Sequence, residues 1–502
     1  MPRSRKVLPV WAFAFVAALG GGLLSAISIA EFGPGASPDS ASYIAGARNL
    51  ALGDGYLGLG GDPIVVFPPG LSFVLSIGVR LGVDAPVVAG WANVLFAAGA
   101  SFVAGLVIVR NVKSDRVRWL SLALLVFSVP MLTVSMMVWS ETLFIFLTIL
   151  SLILLARSPG SGRLLTAAGV LAGFAFTTRY IGITVVLSGL LWIWFRGERG
   201  RVRSSLWYGG SAGAIILGLL IRNYLVAGSL SGNLPGAANS LLTNLKVLVA
   251  SMERWFLPDT VPLTLGVFIL APIGGYLLWR VFKNRVWFSM GATVGLFSLF
   301  TAVYVTTLLS LELIVNIDPP TIRFLSPIYL PMVVVGSAAV DTIWRSESQP
   351  GHRSAALAAA ALLALGAVLT TGNIVRANLA SGPGGYLSPR WENSEMVAHV
   401  KAHSGAWQKD YERVFSNDPW VTYLQADLAV ELVAEATRRR SNEPGLPIET
   451  MCPDGSGESL LIWYETRFRP HHYTPEQIGE VCRIEPLLKT GDGTVYIMRS
   501  WR

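Results

Sequence analysis

The sequence predicts an all-α polytopic membrane protein of about eleven transmembrane helices, followed by a C-terminal extracytoplasmic α/β domain. Three observations predict it. The 502 residues have a mean hydropathy of +0.54, with 52% hydrophobic and only 14% charged residues, whereas a soluble chain carries about 25% charge. Apolar stretches of about 20 residues, the length that crosses a bilayer, recur through the first three quarters of the chain. Beyond residue 375 the composition changes. Residues 376–502 hold 17 acids, 14 bases, both cysteines and four of the five histidines, with no stretch apolar enough to span. The expected division is therefore a transmembrane domain over 1–375, with a first outer loop at 31–85, and a separate domain over 376–502.

The first apolar stretch, Val7 to Ala30, follows Arg3, Arg5 and Lys6. That basic flank suits a signal peptide, but the length, the lack of a small-x-small cleavage pattern and the spans that follow favour a retained helix. Spans are predicted at 8–30, 86–109, 118–135, 139–156, 164–178, 180–195, 204–226, 262–281, 286–308, 323–344 and 354–374. Leu71 to Val83 is apolar but only 13 residues long. It is too short to cross and reads as a helix lying along the outer surface.

With this parity, the N-terminus and the loops on its side carry 18 Lys or Arg, against seven in the opposite short loops. The positive-inside rule then places the N-terminus in the cytoplasm of a plasma-membrane protein and the C-terminal domain outside. The formal charge of +8 is thus a topology signal, and no nucleic-acid partner is expected. Acids lean outward, among them Glu31, Asp39, Asp54, Asp62, Asp84, Glu141, Glu253, Asp259, Glu312 and Asp318. Acids have little influence on orientation, so an outward cluster is free to mean function.

The tail reads as a helix near Ser394–His403, strand Arg413–Ser416, helix Pro419–Leu428, strand Leu460–Tyr464, helix Pro475–Val481 and a strand pair across Gly491-Asp492-Gly493. Cys452 and Cys482 are the only cysteines. An extracytoplasmic compartment permits a disulfide between them; the alternative is two buried thiols. His471-His472 falls in a loop and reads as a pair of surface histidines, since a metal site would need further ligands. Arg438-Arg439-Arg440 reads as a solvated helix end, with contact to the membrane surface as the other reading. No metal site and no cofactor is assigned, and any divalent-metal requirement stays open.

Chemistry concentrates at the outer ends of spans. Asp39 follows the helix breakers Gly33, Pro34, Gly35 and Pro38, and Tyr43, Ala47 and Leu50 continue at helical spacing. Asp39 therefore sits at or near the N-cap of a short surface helix. It is either a plain cap or a carboxylate that deprotonates or orients an acceptor group. Gly53-Asp54-Gly55-Tyr56 reads as a tight turn, and Phe67-Pro68-Pro69-Gly70 opens the surface helix. Glu141 starts a span, as a dipole-favoured first-turn acid or a second acid of the same cavity. Arg179, in Thr178-Arg179-Tyr180, breaks an apolar run of about 30 residues into two short spans. Arg222-Asn223 ends one span and Arg323 begins another. Each arginine alone is most simply an interfacial anchor. Together they have the chemistry to hold a phosphate.

In order, these residues resemble the polytopic glycosyltransferases of the GT-C fold, in the bacterial protein-mannosyltransferase and aminoarabinose-transferase group (glycosyltransferase family 39-like). The resemblance runs from Asp39 with Tyr43, through Gly53 to Tyr56 and Phe67 to Gly70, to Ser140-Glu141-Thr142-Leu143. It continues with Thr178-Arg179-Tyr180, Arg222-Asn223, and Arg323-Phe324 with Pro327 and Pro331, covering about residues 1–345. It implies transfer of a sugar from a polyprenyl-phosphate carrier to a protein, lipid or glycan acceptor at the outer face, with inversion. Asp39 would be base or acceptor-orienting acid and Glu141 the second acid. Arg179, Arg222 and Arg323 would hold the donor phosphate, supported by Tyr43, Pro68, Pro69, Tyr180 and Asn223. The chain departs from the pattern where Ser40 follows Asp39 in place of a second acid, and where Phe67 precedes Pro68 in place of His or Lys. The residues alone also admit a transporter or lipid flippase, or a non-catalytic cell-envelope assembly protein. Paired repeats with broken midplane helices, which would favour transport, are not found.

Overall fold

The computed structural model describes residues 10–158, 160–197, 200–232, 240–258, 260–283, 291–315, 318–346, 349–436, 445–453, 457–465 and 471–501. The chain opens with α1 (Val10–Ile29) and the two helices of the first outer loop, α2 (Pro38–Leu52) and α3 (Gly70–Arg80). Then come α4 (Ala85–Asn111), α5 (Asp115–Val126), α6 (Val129–Ser135), α7 (Glu141–Ala156), α8 (Gly162–Thr178) and α9 (Ile183–Phe195). The remaining bundle helices are α10 (Arg201–Ala227), α11 (Leu241–Glu253), α12 (Leu263–Lys283), α13 (Ala292–Ile314), α14 (Ile322–Ser346) and α15 (Pro350–Ser381).

Seven stretches of the described residues are long and apolar enough to cross a membrane: α1, α4, α5 with α6, α10, α13, α14 and α15. Four shorter apolar helices, α7, α8, the 180–195 segment and α12, account for the other predicted spans. Trp11, Phe15, Leu19, Leu23 and Ile27 of α1 are all exposed at four-residue spacing. Such a stripe is the face a helix turns to lipid tails rather than to water. Its opposite face meets α4 through small residues. A Cβ at Gly105 would stand 3.0 Å from the Ala14 Cα, the close approach that membrane helices use in place of a hydrophobic driving force.

Some boundaries depart from expectation. Ser128 breaks the 118–135 span, its hydroxyl accepting from the Met131 amide to start α6. α13 begins at Ala292 and runs to Ile314, while residues 284–290 lie outside the described residues. α15 continues past residue 375 to Ser381, because nothing breaks it before Gly382 at φ 74°. The helix α11 has no counterpart among the predicted elements. α3 ends at Arg80, short of Val83, with Gly82 at φ 83° turning the chain after it, and packs on α2, α4 and α8.

The tail forms α16 (Pro389–Glu392), α17 (Glu395–Asp410), β1 (Arg413–Ser416), α18 (Pro419–Ala426), β2 (Glu431–Leu432), β3 (Glu458–Tyr464), α19 (Pro475–Gly479), β4 (Arg483–Lys489) and β5 (Gly493–Arg499). The sheet order is β2-β1-β3-β5-β4. β1 runs parallel to β2 and β3, and β5 is antiparallel to β3 and β4. Cys452 and Cys482 form a disulfide with Cα atoms 5.7 Å apart. His472 is buried, with its Nδ1 2.6 Å from the Val433 carbonyl, a position inside the fold and not a surface one. Arg438-Arg439-Arg440 lies outside the described residues.

The tail docks on the first outer loop. The Tyr386 amide donates to the Ala36 carbonyl at 2.8 Å. Arg48 of α2 donates to Asp427 at 3.0 Å and lies over the Tyr423 ring of α18. Tyr423 joins Tyr43, Ile44, Leu71 and Leu75 in one small apolar core.

Candidate active site

A short backbone pairing brings the two acids together. The Gly35 amide donates to the Met136 carbonyl and the Val138 amide donates to the Gly35 carbonyl, each at 2.9 Å, so Gly35 lies parallel to Met137. Asp39 is four residues beyond Gly35, and Glu141 is four beyond Met137. Glycine is required at 35, because a Cβ there would run into Met137 and stand 2.7 Å from the Gly384 carbonyl. Asn93 fixes the second segment by donating to the Met137 carbonyl at 2.7 Å and accepting from Thr142.

Asp39 is not the N-cap. Ser37 holds that position, Pro38 is the first helical residue, and the Ser37 amide donates to Ser40 Oγ at 2.9 Å. The Asp39 side chain is left for another partner. Arg323 Nη1 donates to Asp39 Oδ2 at 2.6 Å. The same guanidinium donates through Nε to Glu141 Oε1, which also accepts from Arg179 Nη1. Two carboxylates and two guanidiniums thus form one contiguous, charge-balanced chain at the starts of α2, α7 and α14 and the α8–α9 tip.

Burial grades across the chain. The Glu141 side chain is fully buried, those of Arg179 and Arg323 are 12% and 14% exposed, and that of Asp39 is 28% exposed. Asp39 is therefore the more accessible of the two acids. Among the described residues its second oxygen makes no hydrogen bond, and Glu141 Oε2 has no partner either. Among the described residues Arg179 spends only Nη1, and Arg323 only Nε and Nη1. Free donors therefore remain beside a free carboxylate oxygen.

The surroundings hold these groups in place. The Trp139 ring lies under Arg323 at 4.3 Å, and its indole N–H donates to Ser37 Oγ at 2.8 Å. Tyr43 OH is 3.1 Å from Ser140 Oγ. Burial pushes the Tyr43 hydroxyl up to about 12, against the opposing pull of Arg179. Trp139 and Ser140 were legible only as neighbours of Glu141; no pattern in the sequence marks the ring as the floor beneath Arg323.

The remaining expected residues form an adjoining layer. Arg222 is not brought to the acids. Its Nη1 donates to the Ile64 carbonyl at 2.6 Å and its Nη2 to the Tyr56 carbonyl at 3.1 Å, with the cation over the Tyr56 ring. It thereby pins the outer loop at two points, apart from the Arg179 and Arg323 chain. Asn223 donates to Tyr180 OH at 2.8 Å and to the Leu230 carbonyl at 2.7 Å, and Tyr180 OH donates to the Val65 carbonyl. Pro68 accepts from Tyr56 OH at 3.3 Å through its carbonyl, and Pro69 is the N-cap of α3. Gly70 fits tightly against Thr177, where a Cβ would meet the carbonyl at 2.6 Å. The loop is thus clamped onto the α8–α9 tip that carries Arg179.

No protein-family model matches the chain, and no curated protein does. Solved structures do. ArnT from Cupriavidus metallidurans in the apo state matches at TM-score 0.61 and 11% identity, over 97% of this chain and 97% of that one. The same protein bound to undecaprenyl phosphate matches at TM-score 0.61 and 11% identity, over 98% of each chain. The archaeal oligosaccharyltransferase AglB from Archaeoglobus fulgidus, in complex with an inhibitory peptide and a dolichol-phosphate, matches at TM-score 0.53 and 12% identity, over 90% of this chain and 69% of that one. A helical bundle that carries its first outer loop, its paired acids and its sheet-bearing tail in this order, and that matches these proteins along nearly its whole length, has the GT-C fold.

Proposed function

We propose that the chain is a multi-pass membrane glycosyltransferase. It moves a sugar from a polyprenyl-phosphate carrier to an acceptor at the extracytoplasmic face, with inversion. The observation that carries this reading is the Arg323 bridge, one guanidinium shared between the half-open Asp39 and the buried Glu141, with Arg179 on the far side of Glu141. The matched ArnT was solved with undecaprenyl phosphate and AglB with a dolichol-phosphate, which supports a lipid-linked donor. The basic asymmetry of the loops, 18 against seven, supports a cytoplasmic N-terminus and an outward site.

In this reading the free nitrogens of Arg179 and Arg323 hold the donor phosphate. The acceptor oxygen attacks the anomeric carbon from the opposite face. Asp39 takes its proton or orients its lone pair as the new bond forms. The bond from the anomeric carbon to the phosphate oxygen breaks, and the guanidiniums meet the charge that develops on the leaving phosphate. Glu141 fixes both guanidiniums from behind, so they need no reorganisation during the reaction. Arg222 acts on the loop and not on the phosphate. An apolar cavity of about 200 Å³, lined by Trp255, Tyr329 and Met332, lies beside α14. Tyr329 is about 9 Å along that helix from Arg323 at 1.5 Å per residue, within reach of the first isoprene units of a carrier.

The test is purified protein in proteoliposomes with labelled polyprenyl-phosphate sugars. Sugar released to an acceptor, with free polyprenyl phosphate as co-product, supports the reading. Translocation of the intact donor without bond cleavage would replace it with a flippase.

A further inference from the structure

Among the buried polar side chains of the bundle that lack a hydrogen-bond partner among the described residues, Glu312 and Asn244 leave every side-chain polar atom of a carboxylate and of an amide unpaired. Glu312, on α13, is 3% exposed and neither of its carboxylate oxygens makes a hydrogen bond. Asn244, on α11, is fully buried, and both its amide nitrogen and its oxygen are unpaired. Native proteins pair nearly all such atoms. An unpaired carboxylate within an apolar span is costly enough that it marks a functional site by default.

Both stand on helices that pack on α14, the helix that carries Arg323. Phe297, Phe300, Tyr304, Leu308 and Glu312 form one buried column on α13. Tyr304 OH donates to the Phe324 carbonyl at 2.8 Å, next to Arg323, and Arg179 lies over the Phe324 ring. Glu312 is eight residues further along the column, about 12 Å by helical rise, toward the α13–α14 connection and beyond the start of α14. Asn244, Leu248 and Ser251 face the bundle at helical spacing, where α11 packs on both α13 and α14.

We propose that Glu312 and Asn244 read the transferred sugar, accepting hydrogen bonds from its ring hydroxyl or ammonium groups while Asn244 also donates one. The inference rests on the glycosyltransferase reading above. A carboxylate offers only acceptors when ionised and an amide offers both kinds, so the pair suits a ligand edge rich in donors. The carrier phosphate diester carries no such donors, so neither residue holds it. The two residues therefore govern which sugar is accepted, not whether the carrier binds.

The experiment measures kcat/KM for a polyprenyl-phosphate-linked hexose and for its monodeoxy analogues, in wild type, Glu312→Gln and Asn244→Ala. A site built on such bonds rejects the analogue lacking the matching hydroxyl by about 10⁴-fold. Each variant is expected to narrow that discrimination at least tenfold. Binding of sugar-free polyprenyl phosphate is expected to stay within about twofold. The discrimination ratio does not depend on how much protein folds, so it reads the proposal even in a poorly expressed variant. Unchanged discrimination in both variants, or loss of sugar-free carrier binding, overturns the inference and leaves the glycosyltransferase reading standing. Absence of transfer by wild type from every donor overturns both.

Discussion

Replacing Asp39 by asparagine should push binding and turnover in opposite directions. The change keeps the shape and removes one negative charge from a centre of two carboxylates and two guanidiniums, so the charge balance moves from zero to +1. A phosphate on the free Nη2 of Arg323 would lie about 5–6 Å from the Asp39 carboxylate, which is held on Nη1. At an effective dielectric of 20 that repulsion is about 3 kcal/mol. Asp39 is 28% exposed, and screening reduces the value to about 1 kcal/mol. Asp39→Asn should therefore bind polyprenyl phosphate about fivefold more tightly, since 1.4 kcal/mol is a factor of ten. Turnover should fall about 10²–10⁴-fold with loss of the base. The two measurements are titration of the purified protein with polyprenyl phosphate and single-turnover release from a labelled donor. Turnover within tenfold of wild type would remove Asp39 from the chemistry. Weaker carrier binding would refute the charge reasoning itself, because the carboxylate would then reach the phosphate through a bridging cation.

Three further outcomes are expected. Arg222→Ala should make residues 56–65 more sensitive to protease and reduce turnover, while carrier affinity stays within about twofold. Arg222→Lys should rescue little, since a point charge cannot reach the Tyr56 and Ile64 carbonyls together; a large loss of carrier affinity would restore Arg222 as a phosphate ligand. Cys452→Ser opens a loop closed across a separation of 30 residues and should cost the tail about 3–4 kcal/mol, read as a lower, reductant-insensitive unfolding transition in the full chain. Tyr43→Phe deletes the contact to Ser140 and should cost about 1 kcal/mol. The folded chain holds the Tyr43 proton to about pH 12, whereas an unfolded tyrosine releases it from about pH 10. Stability from this group is intact below pH 10 and lost between 10 and 12, and the variant should flatten that part of the stability profile.

The parts of the site readable from sequence were those that local rules decide. Helix breakers at Gly33, Pro34 and Pro38 had to end α1 and begin α2, which put Asp39 at a membrane edge. Polar residues at 177–179 had to form a tip inside an apolar run, which put Arg179 there. What local rules leave open is azimuth, because each step along a helix turns a side chain by about 100°. Arg222 was correctly placed at a helix end, yet its direction sends it to the loop carbonyls and not to the acids. The same limit hid α11. Its apolar face is interrupted by Asn244 and Ser251, so it reads as loop until α13 and α14 are present to cover it.

The juxtaposition of Asp39 with Glu141 was the least legible step, because it depends on a pairing of Gly35 with Met137 across about 100 residues. Yet the sequence contained a physical reason to expect some such pairing. A glutamate in an apolar span is costly without a cation or a ligand against it. The cations at the same outer level were few, and an arginine, with five donors, can serve a second acid as well as the first. Arg323 does this, and its bridge makes the buried acid and the open one a single electrostatic unit. The two should therefore fail together. Glu141→Gln, although Glu141 is fully buried behind the guanidiniums, should lower turnover through misplaced Arg323 and Arg179, and pairing it with Asp39→Asn should cost much less than the product of the two separate losses.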